Sequence, residues 1–173
     1  MNILAISGSL RADSSNARLL RSAAKLAPAG MAFLFYEQLG HLPHFNPDLD
    51  AEGATPPPAV AELRRLLAEA DGVVISSPEY AHGVPGSLKN ALDWIVSSGE
   101  LTDKPVALLT AAPGGGAFAH PALAETLSVM GARVLPEASL QTSAARKDAD
   151  PELARALAAS LSALAAAISG SQG

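Results

Sequence analysis

Short apolar runs alternate along this chain with longer segments whose apolar residues recur every three or four positions. Five runs rich in Ile, Val and Leu predict strands at residues 2 to 7 (NILAIS), 31 to 36 (MAFLFY), 72 to 77 (GVVISS), 104 to 110 (KPVALLT) and 131 to 135 (GARVL). Between them, Val60, Leu63, Leu67 and Ala70 share one helical face, as do Leu88, Ala91, Leu92 and Ile95. Near the end, Leu153, Leu157, Leu161, Leu164 and Ile168 form a single stripe, and Asp150 offers an N-cap ahead of Pro151 at the first helical position. Strands that alternate with helices and are apolar on both sides imply an α/β fold, a parallel sheet covered on both faces. Two segments read as irregular, 37 to 58 and 111 to 121, and long loops in a compact domain are usually functional or mobile.

Composition narrows the classes. The 173 residues suit one domain spanning the whole chain, and 49% hydrophobic with 17% charged residues describes a globular protein. A net charge of -5 with scattered basic residues gives no general attraction to nucleic acid or to an anionic membrane. The absence of cysteine excludes disulfides, thiol nucleophiles and Cys-based zinc or iron–sulfur sites, so redox chemistry would need a borrowed cofactor. The opening MNILAIS lacks a basic region and a cleavage site and reads as a first strand, which makes the expected address cytoplasmic. The late apolar segment LARALAASLSALAAAIS is interrupted by Arg155 and several serines and is not expected to span a membrane.

In a doubly wound sheet, ligands sit beyond the carboxyl ends of the strands, and three loops leave such ends. The first carries Gly8, Ser9, Arg11, Ser14, Ser15 and Asn16 just before the helix that begins ARLL. Helix amides, hydroxyls and a guanidinium suit a phosphate, although Ser14 or Ser15 also reads as a plain N-cap and Arg11 as a solvated side chain. No Gly-Lys-Ser/Thr follows and the G-x-G-x-x-G spacing is absent, which disfavours nucleoside triphosphate chemistry. The second loop, SPEYAHGVPGSLKNALDW at 77 to 94, has Pro78 to hold Ser77 extended, Gly83 for a left-handed turn and Pro85 to open a helix. Tyr80, one of two tyrosines, stands at a strand end where a planar ligand can stack or where the ring simply covers the sheet edge; Trp94 reads as core. The third loop, PGGG at 113 to 116, permits close backbone approach.

These stretches together resemble the NADPH-dependent FMN reductase family of the flavodoxin-like fold, which includes quinone, azo-dye and chromate reductases. GSLRADSSN is similar to that family's phosphate loop, and SPEYAHGVPGSLKNALDW to its flavin-ring loop. The resemblance implies a three-layer sandwich with a five-stranded parallel sheet of order 2-1-3-4-5. It further implies FMN as cofactor and NADPH or NADH as co-substrate. By the same resemblance Ser9, Arg11, Ser14, Ser15 and Asn16 hold the FMN phosphate, while Pro78, Glu79, Tyr80 and Gly83 line the isoalloxazine. Gly114 and Gly115 flank its pyrimidine edge. HFNPDLD at 44 to 50 looks like the family's loop after strand 2, near subunit contacts and the substrate mouth. Ala81 departs from the pattern, standing where the family usually has Asn.

The expected activity is hydride transfer from a nicotinamide to FMN, then electron transfer to a quinone, flavin, azo or oxyanion acceptor, with the flavin carrying the chemistry and no protein acid or base required. A flavodoxin-type electron carrier serving a protein partner is the alternative, though carriers commonly show a stronger acidic surface. A homodimer or homotetramer is expected, with the 37 to 58 loop and the apolar helix face beginning at Leu88 offering a two-fold contact. His41, His44 and Asp48 lie in a proline-containing loop with no further ligand adjacent, so no metal is expected. No G-x-S-x-G elbow supports a Ser-His-Asp hydrolase, and His82 and His120, though within reach of a substrate, read as solvated loop histidines and are not taken as site residues.

Overall fold

The inner strands of the central sheet are apolar on both faces because each face meets its own layer of helices. In β1 (Asn2–Ser7), Ile3 and Ala5 turn to one side and Leu4 and Ile6 to the other, and all four are buried. The computed structural model describes residues 1–143 and 150–170. Strands β2 (Ala32–Tyr36), β3 (Gly72–Ser76), β4 (Pro105–Ala112), β5 (Arg133–Val134) and β6 (Leu140–Ser143) join β1 in one parallel sheet of order β2-β1-β3-β4-β5, with β6 also paired to β4. Helices α1 (Ser15–Lys25) and α5 (Pro151–Gly170) cover the face carrying Ile3 and Ala5. Helices α2 (Pro58–Glu69), α3 (Gly86–Asp93) and α4 (Ala119–Val129) cover the other. This is the three-layer arrangement and strand order of a flavodoxin-like fold.

The fifth strand position differs from expectation in an instructive way. Only residues 133 and 134 pair with the start of β4, opposite Pro105 and Val106. Pro136 has no N–H for a ladder, and a short 3₁₀ turn follows at Pro136–Ala138. The amide of Leu108 donates instead to the hydroxyl of Ser139 at 3.1 Å, which itself donates to the carbonyl of Leu135 at 2.8 Å. Beyond this detour β6 resumes beside Leu109 to Ala112.

Helix α5 begins as expected: the carboxylate of Asp150 accepts from the amides of Glu152 and Leu153, at 2.9 and 3.3 Å. By length and mean hydropathy, 1.5, α5 resembles a membrane span, but its Leu153, Leu157, Leu161, Leu164 and Ile168 stripe is buried against the sheet. The apolar face of α3 is likewise internal. Leu88, Ala91, Leu92 and Ile95 are all buried in the chain's own core, so they are not a surface for a second subunit.

The two segments expected to be irregular are more ordered than their composition implies. Residues 37 to 58 contain 3₁₀ turns at Leu39–His41 and Pro47–Leu49 and are pinned to two helices. From α3, the side chain of Asn90 accepts from the amide of Phe45 at 2.8 Å and donates to the carbonyl of Pro43 at 2.9 Å. The indole of Trp94 donates to the same carbonyl at 2.8 Å and meets Phe45 edge-on. From α2, Arg64 pairs with Asp50 at 2.6 Å, and the hydroxyl of Ser97 donates to the same carboxylate. Burial alone would raise the Asp50 pKa, yet Ser97 and Arg64 together hold it below the usual range. In the second segment β4 continues to Ala112 and α4 starts at Ala119, leaving residues 113 to 118 as the loop.

Candidate functional site

Strands β1, β3 and β4 end side by side, and the loops that follow them converge on one crevice. The first loop is an open array of donors. Ser14 is the N-cap of α1, accepting from the amide of Ala17 at 3.3 Å. The amides of Ala12, Asp13, Ser14 and Asn16 meet no acceptor among the described residues. Such unpaired N–H groups at a helix start form a cradle for an anion. The hydroxyl of Ser9 accepts from the amide of Arg11 at 3.3 Å, and the exposed Arg11 guanidinium has no carboxylate partner among the described residues. Ser15 accepts from Arg18 at 3.2 Å, and Arg18 also pairs with Asp13.

Asn16 behaves differently from its neighbours. Its side chain is buried and points into the sheet, accepting from the amide of Ala111 at 3.0 Å and from the hydroxyl of Ser76 at 2.9 Å, while donating to the carbonyl of Ala111 at 2.9 Å. One amide thus ties the start of α1 to the ends of β3 and β4. Any effect of the Asn16 side chain on a ligand passes through the placement of these loops.

The second loop folds back on itself. The amide of Tyr80 donates to the carbonyl of Gly83 at 3.1 Å, and the amide of Gly83 to the carbonyl of Tyr80 at 2.9 Å. Closing that two-residue turn places Ala81 and His82 at φ 49° and 60°. The left-handed positions expected at Gly83 therefore fall on the two preceding residues, because the central residues of such a turn carry the positive φ, and Gly83 itself is outside that region. Pro78 is buried at the base of the loop, and Tyr80 stands 55% exposed at its tip with its hydroxyl 3.4 Å from that of Ser9.

The third loop is latched to the second. One carboxylate oxygen of Glu79 accepts from the amides of Phe118 and Ala119, each at 2.8 Å, and so caps α4 from outside. Those bonds hold the Glu79 pKa below its ordinary range. The ring of His82 stacks on Phe118 with centroids 3.9 Å apart. Gly114 and Gly115 have open space where a Cβ would project, whereas Gly116, at φ 79°, would place one 2.2 Å from Cγ2 of Thr110. His120 hydrogen-bonds Thr110 at 2.8 Å, and burial pushes its pKa down. His41, His44 and Asp48 are exposed, and among the described residues no group of three or more such side chains is placed to hold a metal ion.

Sequence reasoning did not anticipate the anchoring roles of Asn90, Trp94 and Glu79. For the first two the signal lay in the KNALDW stretch, a polar side chain and an indole N–H one turn apart beside the apolar face of the helix.

The donor set fits a ligand with a phosphate at one end and a flat ring at the other. Unpaired amides and Arg11 suit the phosphate. The exposed Tyr80 and the unobstructed backbone at Gly114 and Gly115 suit the ring. Fold and site together define a flavodoxin-like flavoprotein of the FMN-binding class. Comparison with known proteins narrows this further: the family model described as NADPH-dependent FMN reductase matches residues 1–147, and the chain belongs to that family. It is 33% identical over 156 residues to a quinone reductase of Escherichia coli (strain K12), covering 88% of this chain and 82% of that protein. It is 35% identical, again over 156 residues, to an NAD(P)H-dependent FMN reductase of Pseudomonas aeruginosa, covering 88% and 83%. Among solved structures, FerB, a flavoenzyme NAD(P)H:(acceptor) oxidoreductase from Paracoccus denitrificans, superimposes with a TM-score of 0.82 at 28% identity, covering 98% and 97% of the two chains.

Proposed function

We propose that the chain acts as one FMN-binding domain that draws hydride from NAD(P)H and passes electrons to a small acceptor of the quinone class. Flavins, azo compounds and oxyanions are alternative acceptors. The observation that carries the reading is the 3.4 Å approach of the Ser9 and Tyr80 hydroxyls, which makes the anion cradle and the ring-lining loops a single continuous site. Bound FMN would supply the two-electron chemistry, taking hydride and releasing electrons to the acceptor. The chain's own part is to bind and orient. Ser9, Arg11, Ser14, Ser15 and the α1 amides hold the phosphate, with Asn16 fixing the loop they stand on. Pro78, Glu79, Tyr80 and Gly83 form one wall for the ring, and Gly114 and Gly115 admit its pyrimidine edge. Glu79 acts there as a strut, since its carboxylate is already engaged by the α4 amides.

The exposed Tyr80 leaves room for a nicotinamide and then an acceptor to occupy one face in turn, which supports alternating, ping-pong turnover. The names of the bacterial relatives support a quinone acceptor. The modest net charge of -5 supports a small-molecule partner in place of nucleic acid or a membrane. The reading places the protein in the cytoplasm as a homodimer or homotetramer. Its test is stopped-flow mixing of FMN-loaded protein with NADPH and with NADH, followed by steady-state oxidation with a soluble quinone. Rapid bleaching and many turnovers are expected. A flavin unchanged over minutes with either nucleotide would establish a carrier that depends on a separate reductase.

A further inference from the structure

The second residue of α4, His120, is half-buried behind the third loop and not free in solvent. Its amide donates to the carbonyl of Gly116 at 3.0 Å, and its ring meets the hydroxyl of Thr110 at 2.8 Å through Nδ1. Thr110 is buried on the α4 side of β4, and its Oγ1 has no second partner among the described residues. A buried hydroxyl proton needs an acceptor, so Thr110 donates to Nδ1 of a neutral imidazole and the ring's N–H is left on Nε2. The methyl of the same threonine lies under Gly116, where a Cβ would come within 2.2 Å of Cγ2. One imidazole thus fixes the side chain on which the turn at Gly114 to Gly116 is seated. Its outer edge lines a groove of about 520 Å³ between α4 and the broken outer ladder, with Val134, Pro136, Ser139 and Gln141 among the walls. The groove shares no lining residue with the phosphate cradle or the Tyr80 loop, so water reaches the ring without crossing the flavin site.

We infer that His120 is a positioning residue for FMN: its neutral imidazole, acting through Thr110, seats the loop that admits the pyrimidine edge, and protonation from the groove unseats it. The inference rests on the reading of Gly114 and Gly115 given above. Burial is the one influence that moves the His120 pKa, and it pushes it below the ordinary 6.5. The charged and titratable groups on the elements packed around it are engaged or turned elsewhere. Glu79 gives its carboxylate to the amides of Phe118 and Ala119, and His82 stacks on Phe118. Glu125 lines a separate groove on the α3 side of α4. Arg133 donates to the carbonyl of Ala167, Glu137 is exposed, and neither β4 nor β6 carries a charged side chain. A charged imidazole would have no described anion to compensate it and would strand the Thr110 proton. With a folded pKa below the ordinary value, the tie is complete above 6.5 and is lost as pH falls through the folded pKa.

The test is titration of the apoprotein with FMN, read by flavin fluorescence, for the parent, His120→Gln and His120→Ala. Glutamine keeps an acceptor for Thr110 and does not titrate. The parent's dissociation constant should match that of His120→Gln at about pH 8 and exceed it by about tenfold at about pH 5. The ionisations of the FMN phosphate and of His82 are common to both chains and cancel in that ratio. His120→Ala should bind about tenfold more weakly than His120→Gln at both ends of the range. In the parent, the His120 ring titration followed by proton–carbon NMR should move to lower pH when FMN is bound, because the coupling is reciprocal, and this readout needs no variant to fold. Equal pH dependence in the parent and His120→Gln, tight binding by His120→Ala, or a His120 titration unmoved by FMN overturns the inference and leaves the flavin reading standing. A parent that fails to bind FMN at about pH 8 overturns both.

Discussion

Asn16→Ala separates a cofactor ligand from a structural tie. The substitution removes one acceptor and one donor used three times: the Ala111 amide, the Ala111 carbonyl and the Ser76 hydroxyl all lose their partner. The site is buried, so water does not freely replace the amide. Each stranded polar group costs about 1–3 kcal/mol, and the Ser76 hydroxyl can rotate toward another acceptor, which puts the net loss at about 3 kcal/mol. With a urea m-value of about 2 kcal/mol/M for a chain of this size, the unfolding midpoint should fall by about 1.5 M. The measurement is equilibrium urea unfolding of the apoprotein, followed by circular dichroism, so that FMN affinity does not enter. Arg11→Ala is the converse probe. It should leave the apoprotein midpoint within about 0.3 M of the parent and raise the FMN dissociation constant by about tenfold or more. If Asn16→Ala leaves the midpoint equally unmoved and weakens FMN tenfold, its amide is a phosphate ligand and the inward arrangement is wrong.

Three further outcomes follow from the other two loops. Gly116→Ala combines a left-handed φ with a Cβ 2.2 Å from Thr110, so it should cost about 3 kcal/mol and lower Tm by about 8 °C; Thr110→Ser in the same chain should restore only part of this by removing the clashing methyl. Ala81→Asn, which suits φ 49°, should stabilise the chain by about 0.5–1 kcal/mol and raise Tm by about 2–4 °C, whereas Ala81→Val should lower it; identical melting of all three would refute the turn geometry. Glu79 has a folded pKa below its ordinary 4.5, so its stabilising effect is complete above that value and is lost as pH falls through the folded pKa. Unfolding stability of Glu79→Gln should therefore vary less steeply with pH below about 4.5 than that of the parent, and parallel curves would count against the α4 cap.

The parts of this fold legible in the sequence are those whose signal is local. Strands β1, β3 and β4 are continuous apolar runs because both faces are covered, and α5 announces itself through Asp150-Pro151 and a leucine stripe. What escaped notice depends on distant partners. LQTS at 140 to 143 is short and polar, and becomes a strand only because the second half of β4 offers it a ladder. The start of α4 follows three glycines and includes Pro121, and the carboxylate that caps it comes from about 40 positions earlier. Within the site, the short polar residues after β1 all read as phosphate ligands. Nothing in the spacing distinguishes Asn16, whose amide turns toward a carbonyl 95 positions away. Gly83 misled for a simpler reason: glycine is the usual left-handed residue, and here Ala81 and His82 adopt that conformation under the closure of the Tyr80–Gly83 turn.

The detour at Pro136 has a consequence for the molecule in crowded solution. On that side the outer ladder is broken into pieces of two and four residues with a proline turn between them, too short and too discontinuous to template an incoming strand. On the opposite side β2 presents five consecutive residues, with Leu34 and Phe35 exposed. Partly unfolded copies are therefore expected to associate through β2 and not through the far edge, and Leu34→Lys should suppress that association.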